Sequence, residues 1–150
     1  MPLRDIRSIQ NALTSYFGSR TEVQAGYLFG SIVSGRARPD SDVDSAILVA
    51  DRVMRHDPFQ YRLETVTKLM DLLKRTDVDL VLLNEAPPLL AHRVLARGKL
   101  IFERSASARV SFQVRTVNRC LDTEPMRRLY LSYLKKHARV GRILAMYEKF

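Results

Sequence analysis

Apolar residues recur at three- and four-residue steps from Leu3 to Phe17 (Leu3, Ile6, Ile9, Leu13, Tyr16, Phe17), which predicts an amphipathic helix that Gly18-Ser19 should stop. The period then shortens. Val23 to Phe29 predicts a strand, and Gly30-Ser31-Ile32-Val33-Ser34-Gly35 a tight turn opening a short helix with Ser31 near its first turn. Arg36 to Ser41 is polar and contains a proline, hence a loop, and Asp42 to Val49 predicts a second strand with acids at its entry. Helical period returns from Phe59 to Leu73. Val78 to Leu83, dense in Val and Leu, predicts a largely buried third strand, with Asp77 and Asp79 interrupting the apolar run. Pro87-Pro88 should open a short helix to about Ala96, Gly98 closes it, and Leu100-Ile101-Phe102 suffices for a last strand.

This mixed order predicts an α+β fold, a small mixed β-sheet with helices packed mainly on one face, occupying residues 1–104. Residues 105–150 are expected to form a basic helical tail that packs on this domain, on a partner, or on both. A break is expected at Asp122-Thr123-Glu124-Pro125, because proline suits a helix's first turn but not its interior, so the tail should be two basic helices.

Composition narrows the function. The chain has 150 residues, of which 46% are hydrophobic and 27% charged, ordinary for one globular domain. No run approaches the roughly 20 apolar residues of a membrane span, and the N-terminal residues lack a signal-peptide stretch, so a cytoplasmic protein is expected. Cys120 is the one cysteine, which excludes an intrachain disulfide, and His56, His92 and His137 have no zinc-like spacing. Any metal should therefore be a hard, oxygen-bound ion. The net charge of +9 is uneven: residues 1–103 carry 14 Lys+Arg against 13 Asp+Glu, residues 104–150 carry 11 against 3. The positive excess belongs to the tail.

Candidate chemistry lies at the second strand. Side chains two apart on a strand share a face, so Asp42 and Asp44 project together, their Cα atoms about 6.5 to 7 Å apart. Their repulsion is relieved by magnesium, which takes carboxylate and phosphate oxygens; a pair of ions roughly 3.5 to 4 Å apart can clamp an in-line phosphoryl displacement. By itself an Asp-x-Asp at a strand entry is common turn chemistry. Gly30-Ser31 lies twelve residues upstream of Asp42, and together they read G-S-x10-D-x-D. Arg36 and Arg38, in the intervening loop, can steady phosphate oxygens, and Ser41 is a further nucleotide-binding candidate.

The block LFGSIVSGRARPDSDVDSAILV resembles the signature of the DNA polymerase beta superfamily, and most closely its minimal nucleotidyltransferase (MNT) branch. Thr76 to Leu83 is similar to that family's later acidic strand, and Pro88 to Phe102 to its helix-and-strand ending, so the likeness covers roughly residues 20 to 104. The resemblance implies that Gly30 and Ser31 cradle a nucleotide triphosphate, as anion physics at such turns also favours. It implies that Asp42, Asp44 and Asp79 are catalytic and hold Mg2+, two ions in all, with Asp79 helping to deprotonate the attacking hydroxyl. Asp77 remains a rival. Ser45 departs from the pattern, standing where the family commonly has an apolar residue, and is expected to soften the core locally.

Small MNT proteins with a helical tail resemble the antitoxins of HEPN ribonuclease toxins, which implies transfer of AMP from ATP to a tyrosine of such a toxin and a hetero-oligomer with it. Two rivals stand: a binding module that occludes its partner through the tail, and transfer to RNA or an aminoglycoside-like molecule. The tail's cations (Arg115, Arg119, Arg127, Arg128, Lys135, Lys136, Arg139, Arg142) alternate with Phe112, Val117, Leu121, Leu129, Leu131, Tyr133 and Leu134, too apolar to float free. A protein partner is the simplest thing for them to pack on. His92, His137 and Cys120 are expected to be structural.

Overall fold

A computed structural model describes residues 3–35, 38 and 41–136, the side chain of Leu134 aside. The order is α1 (Ile6–Ser19), β1 (Val23–Phe29), β2 (Val43–Val49), α2 (Asp51–His56), α3 (Pro58–Leu73), β3 (Val78–Leu82), α4 (Pro88–Arg97), β4 (Lys99–Glu103) and α5 (Ala106–Lys136). The four strands form one sheet in the order β3-β2-β1-β4, with β1 antiparallel to both β2 and β4 and β2 parallel to β3. The sheet is therefore mixed, as the alternation of elements predicts.

Local chemistry explains the boundaries. The Asp5 carboxylate accepts from Ser8 N at 3.1 Å and caps α1, and Asp57 does the same for α3 through Gln60 N at 3.0 Å, ahead of Pro58. Each cap contributes about 1 kcal/mol. Gly18-Ser19 does not stop α1 but forms its last turn; the chain leaves the helix at Arg20, which is extended.

Apolar residues cover both faces of the sheet. On one, Val43, Ile47, Leu80 and Leu82 pack with Ile9, Leu13 and Phe17 of α1 and Leu69 and Leu73 of α3. The expected helical layer is this one. On the other, Ala25, Tyr27, Ala46 and Leu48 pack with Ala91 and Val94 of α4 and Phe112 of α5. This second cover was not anticipated, although the unbroken run Ala46 to Val49, buried throughout, carries its signal, since a strand buried on both faces loses its alternation.

The tail differs from expectation. α5 is one helix of 31 residues, with Pro125 inside it. Pro125 lacks the N–H that would reach Leu121 O, yet the helix continues; close by, Arg127 Nη2 donates to Cys120 O at 2.6 Å and Thr123 Oγ1 to the same carbonyl at 3.2 Å. Cys120 is buried. Residues 137–150, with His137, Arg139 and Arg142, lie outside the described residues.

Candidate active site

The site forms where β1 ends and β2 and β3 begin. In the strand register Phe29 stands opposite Asp44, and Asp44 opposite Asp79, so one row crosses three strands. Asp44 shares its sheet face with Ala46 and Leu48, the face that α4 covers farther along. Asp42, just ahead of β2, is exposed, and Asp44 is half-buried. Parallel pairing of β2 with β3 is what sets Asp79 beside them.

Gly30 follows Phe29 directly and holds φ +78, a conformation L side chains rarely adopt. A Cβ built there would meet Asp44 Oδ2 and stand 3.2 Å from Asp44 Cγ. Glycine is thus what lets the turn lie against the carboxylate. Ser31 follows within a single 3-10 turn, Gly30–Ile32, rather than a longer helix, and Val33 N and Ser34 N both donate to Gly30 O at 3.2 Å.

Two residues of the connecting loop bond to each other. Arg38 N donates to Ser41 Oγ at 2.7 Å, and Ser41 N donates to Arg38 O at 2.9 Å. The Ser41 hydroxyl is therefore engaged in the loop's own fold, while the Arg38 residue is exposed. Arg36 lies outside the described residues.

Asp77 and Asp79 have different surroundings. Asp77 is clamped by Arg75, Nε to Oδ1 at 2.8 Å and Nη2 to Oδ2 at 2.6 Å, and these bonds hold its carboxyl below the usual value. Arg75 also donates to Leu3 O at 3.0 Å and Ser41 O at 2.6 Å, tying the N-terminal segment and the loop to the start of β3. Asp77 is thereby committed to a structural clamp. Asp79 is exposed; its Oδ1 accepts from Leu80 N and from Arg62 Nη2, both at 2.9 Å. Ser45 is fully buried and donates its hydroxyl to Asp79 O at 3.0 Å, so it joins β2 to β3 beside the acids instead of loosening the core.

Electrostatics single out Asp44. Burial pushes its carboxyl above the ordinary value, and the charges of Asp79 and then Asp42 push in the same direction. A divalent cation would favour the ionised carboxylate against all three. Among the described residues no three Asp, Glu, His or Cys side chains gather closely enough to hold an ion alone. Magnesium bound through one or two carboxylates needs substrate phosphates to complete its shell. The donor chemistry of Asp42, Asp44 and Asp79 fits it.

Arg62, Arg75 and the bonding of Ser45 escape a linear reading. Arg75 carried a faint signal, an arginine two residues before Asp77 at a strand entry. Arg62 carried none, lying in a helix 17 residues before its partner.

A mixed sheet that sets carboxylates from neighbouring strands beside a glycine-serine turn defines an enzyme of the nucleotidyl-transfer class. The chain belongs to the polymerase beta nucleotidyltransferase family, which residues 11–107 match. It is 35% identical over 97 residues to the protein adenylyltransferase MntA of Shewanella oneidensis, covering 65% of this chain and 66% of that protein, just under two thirds. Among solved structures, it is similar to a chain of a toxin–antitoxin crystal structure with AMP-PNP, with TM-score 0.72, 28% identity and coverage of 84% of this chain and 98% of the other. A second is a chain of the complex of tri-AMPylated Shewanella oneidensis HEPN toxin with MNT antitoxin, with TM-score 0.68, 26% identity and coverage of 87% and 99%.

Proposed function

We propose that this chain is a protein adenylyltransferase antitoxin that transfers AMP from ATP to a tyrosine of a HEPN-type ribonuclease toxin. The observation that carries the reading is the Asp44–Asp79 row beside Gly30, in a chain whose solved relatives include an MNT antitoxin bound to an AMPylated HEPN toxin. Gly30 and Ser31 hold the triphosphate, with Arg36 and Arg38 as loop cations on its phosphates and Ser41 shaping that loop. Asp42, Asp44 and Asp79 would hold Mg2+, which when bound supplies charge neutralisation for the attacking and leaving oxygens. Asp79 takes up the tyrosine's phenolic proton as that oxygen bonds to the α-phosphorus; the α–β bridge then breaks and pyrophosphate leaves.

The tail supplies partner choice. Val110, Val114, Val117 and Leu121 of α5 are 47%, 54%, 37% and 59% exposed, and their four-, three- and four-residue spacing puts them on one helix face. Such a stripe in a basic helix suits a protein partner better than bulk water. Among the described residues no helix is long and apolar enough to cross a membrane, and the cytoplasm, where ATP and an RNA-cleaving toxin meet, is the compartment we infer.

The test is magnesium-dependent labelling of the purified toxin with labelled ATP. Wild type labels it, and the combined Asp42→Ala and Asp44→Ala variant does not; undiminished labelling by that variant refutes the reading. Occlusion replaces chemistry if alanine at all three acids leaves neutralisation intact while removal of residues 105–150 abolishes it.

A further inference from the structure

We infer that Arg62 is a positioning residue for the transfer reaction, holding the Asp79 carboxylate in place through a closed ring of hydrogen bonds on the open edge of the sheet. This rests on the function proposed above.

β3 is an edge strand. Val43 N donates to Asp77 O, and in that parallel register the N–H and C=O of Leu80 turn away from β2 toward the open edge. Both are satisfied by side chains. Leu80 N donates to Asp79 Oδ1 at 2.9 Å, Arg62 Nη2 donates to the same oxygen at 2.9 Å, and Arg62 Nε donates to Leu80 O at 2.7 Å. Arg62 comes from α3, whose core residues pack on the face opposite the acids, so its side chain reaches round the edge to Asp79.

Two donors on Oδ1 fix the carboxylate's torsion and leave Oδ2 as the oxygen open to a cation or a substrate proton. The ion pair itself contributes little to stability, because the side chains of Arg62 and Asp79 are 40% and 58% exposed. What the arrangement supplies is placement: the Nε bond anchors the guanidinium to the backbone independently of the carboxylate it serves. A planar fork reaches Leu80 O and Asp79 Oδ1 through two nitrogens in fixed geometry, a placement that one rotatable ammonium does not reproduce. The competing role is a plain plug for the β3 edge, which would affect stability and leave the chemistry alone.

The experiment compares wild type, Arg62→Ala and Arg62→Lys by steady-state transfer to the HEPN-type acceptor and, without metal or nucleotide, by amide hydrogen exchange. For Arg62→Ala we expect kcat to fall roughly 10- to 100-fold, as for a catalytic group displaced by about 1 Å, with KM for ATP within about a factor of two. Arg62→Lys should fall between. The Leu80 amide should exchange about tenfold faster in Arg62→Ala while Val81, whose N–H faces β2, keeps its rate. An unchanged kcat, or a loss that follows thermal stability alone, overturns the inference. If wild type labels no acceptor, the proposed function fails by itself. The Leu80 exchange rate then still decides whether Arg62 holds Asp79, and an unchanged rate rejects it.

Discussion

Replacing Gly30 with alanine tests the turn and the acid together, and Gly35 supplies a matched control. Both glycines sit at φ +78. An added Cβ at Gly30 meets Asp44 Oδ2, with Cγ at 3.2 Å, whereas at Gly35 nothing lies within 4 Å. The left-handed backbone costs either alanine variant about 1–2 kcal/mol. For a chain of this size that lowers Tm by roughly 2 to 8 °C. Only Gly30→Ala must also move the Asp44 carboxylate, by about 1 Å to reach ordinary contact distance. A shift of that size in a catalytic group costs on the order of 100-fold in rate. Gly35→Ala should therefore lose stability and keep kcat within about threefold, while Gly30→Ala loses similar stability and about 100-fold in kcat. Thermal melts and labelling of the acceptor at saturating ATP measure both. If the two variants transfer equally fast, the contact between the turn and Asp44 has no part in the chemistry.

Two further predictions concern the charges around the site. Arg75 is 7% exposed at its side chain and donates to both Asp77 oxygens, Leu3 O and Ser41 O. Arg75→Met strands all these acceptors and should destabilise the protein by about 2–4 kcal/mol in urea denaturation; a loss under about 1 kcal/mol would show the clamp to be dispensable. Asp44 and Asp77 should shape pH dependence with opposite signs. Burial first, then the charges of Asp79 and Asp42, raise the Asp44 carboxyl, so the folded protein binds that proton more readily than the unfolded chain. Its penalty grows as pH rises between the unfolded and folded values and is complete above the latter, so Asp44→Asn should raise the metal-free Tm at pH 7, with the gain shrinking as pH falls through the raised folded value and gone below about pH 4. Asp77 is held low, chiefly by the Arg75 hydrogen bonds, so its stabilisation is present above the unfolded value and lost as pH falls through the folded one. Asp77→Asn should lower Tm at pH 7. Melts of both variants across this range check the signs, and a lower metal-free Tm for Asp44→Asn would contradict the electrostatic account.

Much of this protein is legible along the chain because its information is local. Gly30, Ser31, Asp42 and Asp44 belong to one β1-turn-β2 unit, where the two-residue period puts both acids on one face and adjacency puts the turn at the strand's end. Most helix and strand segments follow from the same short periods, but the short helix α2 was not among them. What lies between distant segments was decided by tertiary structure alone. Asp79 stands beside Asp44 because β2 and β3 pair in parallel across an intervening pair of helices, and Asp77 is withdrawn from the site by an arginine that also gathers Leu3 and Ser41. Ser45, out of place by its polarity, is matched by a carbonyl 34 residues away. Pro125 should have split the tail, yet the helix runs through it, one proline costing a single bond in a helix of 31 residues. Arg62 meets Asp79 only round a sheet edge. Periodicity reports which face a side chain takes; which groups meet there depends on strand pairing and on how far long polar side chains reach, and neither is written in a local pattern.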